Sequence, residues 1–234
     1  MVTSPAPTQA LISGAAAIGR GVGAKYVVEA IGTFLLVFAV GAAVASGSTF
    51  APLGIGAALM VMVYVGAYVA GGHYNPAVTL AVLVRRRIGL RDAFAYWLVQ
   101  IGSGLLAAVL VRRIFDPALG APSAMMMLTR RGLGAAFVAE LLFTFALCYV
   151  VLNVATSSSH SDKSYYGVIF GFTVFASAVA IGTISGGALD SAVPLGTVVM
   201  DIFGWPTLWV YLMAQMLAGL AAGVTFLALN ADDR

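Results

Sequence analysis

The sequence predicts an all-α membrane protein with six transmembrane helices and two re-entrant half-helices, arranged as an inverted repeat of three plus three spans. Three observations support this fold class: the composition, six long apolar runs and a turn motif that occurs twice. Of the 234 residues, 61% are hydrophobic and 9% are charged, whereas soluble domains contain about 25% charged residues. So few charges cannot cover a water-exposed surface, and we expect lipid to surround most of the chain.

Six apolar segments are long enough to cross a bilayer, which takes roughly 20 apolar residues in a helix. They lie at about 26–45, 52–70, 93–111, 133–154, 165–184 and 207–229. Residues 1–23 are rich in small and polar residues, and we expect a flexible N-terminal tail there. This stretch lacks the basic N-terminal segment and the strongly apolar segment after it that are typical of signal peptides, so a cleaved signal peptide is not expected.

Basic residues in the predicted loops indicate the orientation of the chain, because cytoplasmic loops carry an excess of Lys and Arg. With the N-terminus in the cytoplasm, eight of the 12 basic residues lie inside and four lie outside. Both termini are therefore expected to be cytoplasmic. A composition rich in Ala and Arg is typical of a GC-rich bacterial source, which favours the cytoplasmic membrane. The net charge of +3 arises in these loops and does not indicate nucleic-acid binding.

The membrane domain, residues 24–230, consists of two related halves at 24–111 and 132–230, with a predicted connecting loop at 112–131. Residues 56–75 match residues 171–190 without a gap, at an offset of 115. Each half has three spans, an odd number, so the second half must insert upside down relative to the first. Inverted repeats with interrupted helices place a permeation or binding site between the repeats.

Two turn motifs stand at equivalent places in the halves, each after a Gly-Gly pair and before a short apolar run: Asn75-Pro76-Ala77 and Asp190-Ser191-Ala192. Proline suits the first helical position, where a missing N–H costs nothing, and asparagine caps helices well. We therefore expect two half-helices whose positive N-terminal ends meet at the membrane midplane. His73 precedes the first motif, and we expect it to scaffold the loop, with gating or pH sensing as the alternative.

Two acids, Glu29 and Glu140, lie inside the first and fourth predicted spans. A carboxylate in lipid is costly unless it is paired or neutralised. The loops before the half-helices have backbone amides without helical partners, so we expect each Glu to accept hydrogen bonds from such amides. A direct role in transport is the alternative.

These features resemble the major intrinsic protein family, the aquaporins and aquaglyceroporins, over roughly residues 24–230. The resemblance rests on the Glu-x-x-x-Thr-Phe segments at Glu29 and Glu140, on the inverted repeat and on Asn-Pro-Ala-Val-Thr after the second span. It implies a right-handed bundle and a homotetramer with one pore per subunit. Water or a small neutral solute would pass, and membrane lipid would be the other partner. No cofactor is implied, and the sequence has no nucleophile–base or metal cluster that would indicate an enzyme.

The chain departs from this family at the outer selectivity filter. Alignment through the motifs places the filter positions at Ile55, Ala178, Gly187 and Val193. The usual filter combines an aromatic residue, often a histidine, and an arginine. Each replacement removes bulk or charge, so the resemblance implies a wider and more apolar constriction in this chain.

Asp190 stands where the family has its second asparagine, and the sequence does not determine whether its carboxyl group is ionised or neutral. The dipole of the half-helix favours the ionised form, whereas burial in a narrow pore favours the neutral acid. An ionised side chain would favour cation or proton leakage, while a neutral one would donate much as asparagine does. Pro194 leaves a second question open: it either removes the first hydrogen bond of a helix capped by Asp190, or the helix begins at Pro194 itself.

The leading functional prediction is a passive channel for water or small uncharged solutes, such as polyols, urea or peroxide, with an unusually wide apolar filter. One alternative is a channel that passes cations or protons through Asp190. The other is a membrane scaffold that does not conduct, because a wide apolar constriction can dewet and stay closed.

Overall fold

The computed structural model describes residues 23–119, 130–157 and 165–233, and these ranges contain eight α-helices. They are α1 (Ala24–Ser46), α2 (Ala51–Ala70), α3 (Pro76–Val84), α4 (Leu90–Leu119), α5 (Arg130–Val151), α6 (Tyr166–Ser185), α7 (Ala192–Val199) and α8 (Leu208–Leu229). A π-helical turn, Leu152–Thr156, continues α5, and a 3-10 turn, Trp205–Thr207, precedes α8. The tail predicted at residues 1–23 lies outside the described residues except for Gly23.

Six helices are long and apolar enough to cross a membrane, at Ala24–Ser46, Ala51–Ala70, Leu90–Phe115, Gly132–Thr156, Tyr166–Ser185 and Trp205–Leu229. The predicted six spans are thus confirmed. Helices α3 and α7 have 9 and 8 residues, which at 1.5 Å per residue reach at most about 14 Å, roughly half of the hydrocarbon core. They are the two half-helices expected from the sequence.

The third span is longer than its apolar run predicted, since α4 continues to Leu119 and α5 begins at Arg130. The connection expected at 112–131 is correspondingly shorter. The predicted end at residue 111 followed from the charge of the next residues, but arginine can extend its stem along apolar surface and place its head at the interface. Arg112 Nη1 donates to the Val199 carbonyl at 3.0 Å and lies 3.0 Å from Asp201 Oδ2. The charge of Arg112 therefore has partners within the folded chain.

The two halves interlock, because each half-helix packs against a helix of the opposite repeat: α3 against α8, and α7 against α4. The repeats also cross where α2 meets α6. A Cβ atom placed on Gly56 would lie 2.5 Å from the Gly171 carbonyl oxygen, and one on Gly171 would lie 2.5 Å from the Gly56 carbonyl oxygen. Such small residues let helix backbones approach closely in lipid. A reciprocal contact between residues related by the repeat is the signature of a local twofold axis.

Candidate functional site

The loop before α3 is held by the buried carboxylate of Glu29. Its Oε1 accepts a hydrogen bond from the backbone N–H of His73 at 2.8 Å, and its Oε2 accepts one from Tyr74 N–H at 2.7 Å. The side chain of Gln100 on α4 donates to Oε2 at 2.9 Å. Tyr74 has a φ of 49°, and left-handed backbone costs about 1–3 kcal/mol for a residue other than glycine. The hydrogen bonds to Glu29 hold the loop in this strained turn.

The loop before α7 is held in the same way by Glu140. Its Oε1 accepts from Ala188 N–H at 2.9 Å, and its Oε2 accepts from Leu189 N–H at 2.9 Å. Ser185 Oγ donates to Oε1 at 2.7 Å, and Gln215 Nε2 donates to Oε2 at 3.0 Å. Leu189 has a φ of 50°. The two acids therefore organise equivalent loops, one in each repeat.

The first motif caps α3 and also reaches the opposite loop. Asn75 Oδ1 accepts from Ala77 N–H at 2.8 Å and, more weakly, from Val78 N–H at 3.4 Å. Asn75 Nδ2 donates to the Leu189 carbonyl at 2.8 Å. Pro76 is the first residue of the helix, as its missing N–H requires. Asn75 therefore connects the two half-helix loops directly.

The second half-helix begins at Ala192, one position later in its motif than the first does at Pro76, so the alternative start at Pro194 is not what the structure shows. Asp190 Oδ1 accepts from Ala192 N–H at 2.9 Å, and Ser191 already has helical backbone angles. Pro194 has no N–H to donate, and the Asp190 carbonyl accepts from Val193 N–H at 3.0 Å instead. Asp190 Oδ2 is buried and has no hydrogen-bond partner among the described residues.

A polar cluster around Thr79 exists in the first repeat alone of the two described halves. Thr79 Oγ1 donates to the Asn75 carbonyl at 3.0 Å, accepts from Gln100 Nε2 at 3.0 Å and lies 3.1 Å from His73 Nδ1. The residue 115 positions later is Pro194, which offers no hydroxyl group. Consistent with that, the buried Oε1 of Gln215 has no hydrogen-bond partner in the described chain.

Thr79 and the two glutamines were not among the site residues predicted from the sequence. A signal was available, because Gln100 and Gln215 are also 115 positions apart and each stands inside an apolar span. A buried amide in lipid needs partners, so a repeated one indicates a repeated polar contact.

A cavity lies between the repeats, with about 30 Å³ of space for the centres of water-sized molecules. Six residues singled out from the sequence line it: Ile55, His73, Asn75, Gly187, Asp190 and Val193. Most of its other lining residues are aliphatic, and within the described chain no Lys or Arg side chain lines it. The described residues also include no group of three His, Cys, Asp or Glu side chains that could hold a metal ion.

The fourth proposed filter position, Ala178, is not a lining residue of this cavity. It packs behind Gly187, because a Cβ atom added to that glycine would lie 3.1 Å from Ala178 Cα. Gly187 also has a φ of 63°, a backbone conformation that residues other than glycine rarely adopt. The remaining motif residues are buried in the first turns of the half-helices and build them: Pro76, Ala77, Ser191 and Ala192.

Comparison with known proteins gives consistent matches along nearly the whole chain. The profile of the family described as major intrinsic protein matches residues 20–226. The glycerol uptake facilitator protein-like 6 of Lactiplantibacillus plantarum is 34% identical over 216 residues, covering 89% of this chain and 99% of the relative. Nodulin-26 of Glycine max is 30% identical over 219 residues, covering 90% of this chain and 79% of the relative.

Two further matches come from a plant and from a solved structure. Aquaporin TIP1-2 of Zea mays is 34% identical over 190 residues, covering 80% of this chain and 72% of the relative. The X-ray structure of the aquaglyceroporin from Plasmodium falciparum superposes with a TM-score of 0.71 at 20% identity, covering 87% of this chain and 94% of that one. At this identity the solved structure is evidence for a shared fold.

Proposed function

Since the chain belongs to the major intrinsic protein family, we propose that this multi-pass membrane protein is a passive channel for water and small uncharged solutes with a wide, apolar outer constriction. The observation that carries the proposal is the lining of the cavity between the repeats. Asn75 and Asp190 stand at its polar part, and Ile55, Gly187 and Val193 provide apolar walls. The N-terminal ends of two half-helices disfavour cations there.

The width of the constriction follows from what the proposed filter positions lack. Gly187 has no side chain, and Val193 stands where the family has an arginine with its fan of donors. A solute therefore meets aliphatic groups at this level and hydrogen-bonding groups deeper in the cavity. This order suits small molecules with both carbon and polar faces, such as polyols and urea, besides water and peroxide.

We propose further that the channel is a homotetramer in the cytoplasmic membrane with both termini inside. The excess of basic residues in the predicted inner loops supports this orientation. Light scattering of the detergent-solubilised protein measures the assembly directly, and a molar mass of one subunit contradicts a stable tetramer. The orientation is tested by introducing a single cysteine at residue 160 or at residue 120. Each cysteine is then labelled with a thiol reagent added to one side of the vesicles or to the other.

Stopped-flow light scattering of proteoliposomes tests the channel. Under a sucrose gradient we expect the vesicles to shrink faster than empty liposomes. Under glycerol or urea gradients we expect fast shrinkage followed by reswelling, because these solutes enter through a wide constriction. Shrinkage without faster reswelling restricts the channel to water. Rates equal to those of empty liposomes contradict conduction and favour the scaffold.

Cation or proton permeation is a second candidate, favoured by one observation: Asp190 lines a cavity that has no Lys or Arg in its described lining. If an ionised Asp190 conducts cations, Asp190→Asn reduces the cation current of reconstituted vesicles. A current that is the same in both proteins, or absent in both, excludes this route.

A further inference from the structure

The side chains of Asn75 and Asp190 occupy equivalent places in the two repeats. Asn75 Oδ1 accepts from the N–H two residues later at 2.8 Å, and Asp190 Oδ1 accepts from the N–H two residues later at 2.9 Å. These matching bonds fix both side-chain planes relative to their half-helices. From this correspondence we expect the second atom of each group, Nδ2 of Asn75 and Oδ2 of Asp190, to point towards the opposite loop.

The partner of Asn75 Nδ2 identifies the partner that Asp190 Oδ2 would have. Nδ2 donates to the Leu189 carbonyl at 2.8 Å, across the local twofold axis. The residue that corresponds to Leu189 in the first repeat is Tyr74, which has the same left-handed backbone, with φ 49° against 50°. No hydrogen bond within the described residues ends on the Tyr74 carbonyl.

Asp190 Oδ2 is shielded from water-sized molecules and has no partner when it acts as an acceptor. A carbonyl oxygen cannot donate, so an ionised Asp190 would place a negative oxygen opposite a second acceptor. An unpartnered buried polar atom destabilises the folded state, and a charged one does so more strongly. A proton on Oδ2 removes both problems, because it turns the atom into a donor.

We propose that Asp190 is a neutral carboxylic acid whose Oδ2–H donates to the backbone carbonyl of Tyr74, the reciprocal of the bond from Asn75 to Leu189. Asp190 is then a positioning residue that ties the second half-helix loop to the first. The two loops are held by a pair of crossed hydrogen bonds. Asn75 keeps a second N–H that can donate, whereas the single O–H of a neutral Asp190 is used in this bond.

Among the described residues, no Lys or Arg side chain lines the cavity at Asp190 and supplies a permanent cation that would keep it ionised. Glu29 on α1 acts on it electrostatically, Glu140 and Cys148 on α5 lie near its loop, and His73 lines the same cavity. The acids and the thiol carry negative charge when they ionise, which opposes a further negative charge. The remaining group, His73, directs Nδ1 to the Thr79 hydroxyl at 3.1 Å.

Infrared spectroscopy of the full chain in lipid vesicles tests the protonation. The protein is grown with aspartate carrying ¹³C in the side-chain carboxyl group, which moves Asp bands and leaves Glu bands in place. At about pH 7, roughly three units above the ordinary pKa of aspartate, we expect a label-sensitive band of a protonated carboxyl group. We expect Asp190→Asn to abolish this band. Asp201→Asn is the matched control, because that residue is 49% exposed and pairs with Arg112, and it should leave the band unchanged.

The absence of a label-sensitive band at this pH, or a band that survives in Asp190→Asn, overturns the proposal. The labelled wild type alone decides the first point, so the result does not depend on the folding of a variant. Labelling the backbone carbonyl groups of tyrosine with ¹³C tests whether Tyr74 is the acceptor. Asp190→Ala should shift one component of the tyrosine carbonyl band, whereas Asp201→Ala should leave this band unchanged. Spectra without that shift show that Tyr74 is not the acceptor.

This inference concerns the site of the proposed channel but does not depend on conduction. Vesicle flux measures the channel whatever the charge of Asp190 is, and the carboxyl band measures the charge whether or not solutes pass. Failure of one is therefore distinguishable from failure of the other.

Discussion

Val193 shows how much of the proposed selectivity rests on a single side chain. It lies in the first turn of α7, is 4% exposed and lines the cavity between the repeats. Valine adds neither a charge nor a donor at the position that we align with the filter arginine of the family. The wide constriction that we propose therefore depends on this residue together with the missing side chain at Gly187.

Replacing Val193 by Arg should narrow the constriction and introduce a cation. We expect glycerol-driven reswelling of proteoliposomes to slow by at least about tenfold, which corresponds to a barrier about 1.4 kcal/mol higher. Water-driven shrinkage should fall less, because water is smaller. Val193→Ala is the matched control, since it removes bulk at the same site, and its glycerol flux should equal or exceed that of the wild type. Undiminished glycerol flux in Val193→Arg places the constriction elsewhere.

Thr79 is the residue on which the polar cluster of the first repeat depends. Thr79→Val keeps the shape of the side chain and removes its hydroxyl, so Gln100 loses a buried partner and the Asn75 carbonyl loses a donor. We expect the free energy of unfolding to fall by about 1–3 kcal/mol, measured by thermal unfolding in detergent micelles.

Thr197→Val on α7 is the control for this substitution. Its hydroxyl is also buried, but it donates to the Pro194 carbonyl at 3.2 Å and makes no further side-chain hydrogen bond within the described chain. The loss of stability should therefore be smaller than for Thr79→Val. Equal losses in the two variants contradict a special role for the cluster around Thr79.

The crossing of α2 and α6 is the contact between elements on which the arrangement of the two repeats most directly depends. Gly56 and Gly171 face each other there without room for a methyl group, since each Cβ would meet the opposite carbonyl oxygen at 2.5 Å. Backbone atoms cannot turn aside as a flexible side chain can. The helices themselves must move apart when either glycine gains a side chain.

Gly171→Ala and Gly56→Ala should each lower the free energy of unfolding by about 1–3 kcal/mol, the usual cost of overpacking. The same helices offer controls, because a Cβ on Gly54 of α2 or on Gly182 of α6 meets nothing within 4 Å. Gly54→Ala and Gly182→Ala should be neutral or stabilising by up to about 1 kcal/mol, as alanine favours helix. Thermal unfolding of all four variants separates the two effects, and an equal response throughout refutes the close crossing.

At the scale of the whole molecule, residues near the C-terminus contact the first repeat at Arg85. Arg85 follows the first half-helix and is 1% exposed, with its guanidinium 4.6 Å from the ring centre of Phe226 on α8. Its Nη2 lies 3.0 Å from Asp233 Oδ1, an ion pair by distance that lacks the alignment of a hydrogen bond. Arg87 Nη2 approaches the same oxygen at 3.4 Å.

Asp233→Asn should lower the free energy of unfolding by about 1–3 kcal/mol, because it removes the anion that faces a buried arginine. This is less than the loss expected for a fully buried pair, since the Asp233 side chain is 12% exposed. Asp232→Asn provides the control, as that neighbouring residue is exposed. Equal unfolding temperatures for wild type and Asp233→Asn show that the contact adds nothing to stability.

The sequence by itself determined the membrane character, the six spans, the inverted repeat, and membership of the family. These properties follow from local composition and from spacing, because lipid requires long apolar helices whatever they pack against. The same rule explains the error at the third span. An apolar run ends at its first charge, whereas α4 continues past Arg112, whose charge has partners in Val199 and Asp201.

The tertiary structure decided how the two halves meet. It selected the start of α7 at the Asp190 motif over Pro194, and it placed Ala178 behind Gly187 rather than at the cavity wall. It also revealed the polar cluster around Thr79 and the buried, unpartnered oxygen of Asp190. These facts depend on which donor faces which acceptor across the docked repeats. A hydrogen bond is short and directional, so its partners are set only when distant segments are brought together, and no local pattern in the sequence specifies them.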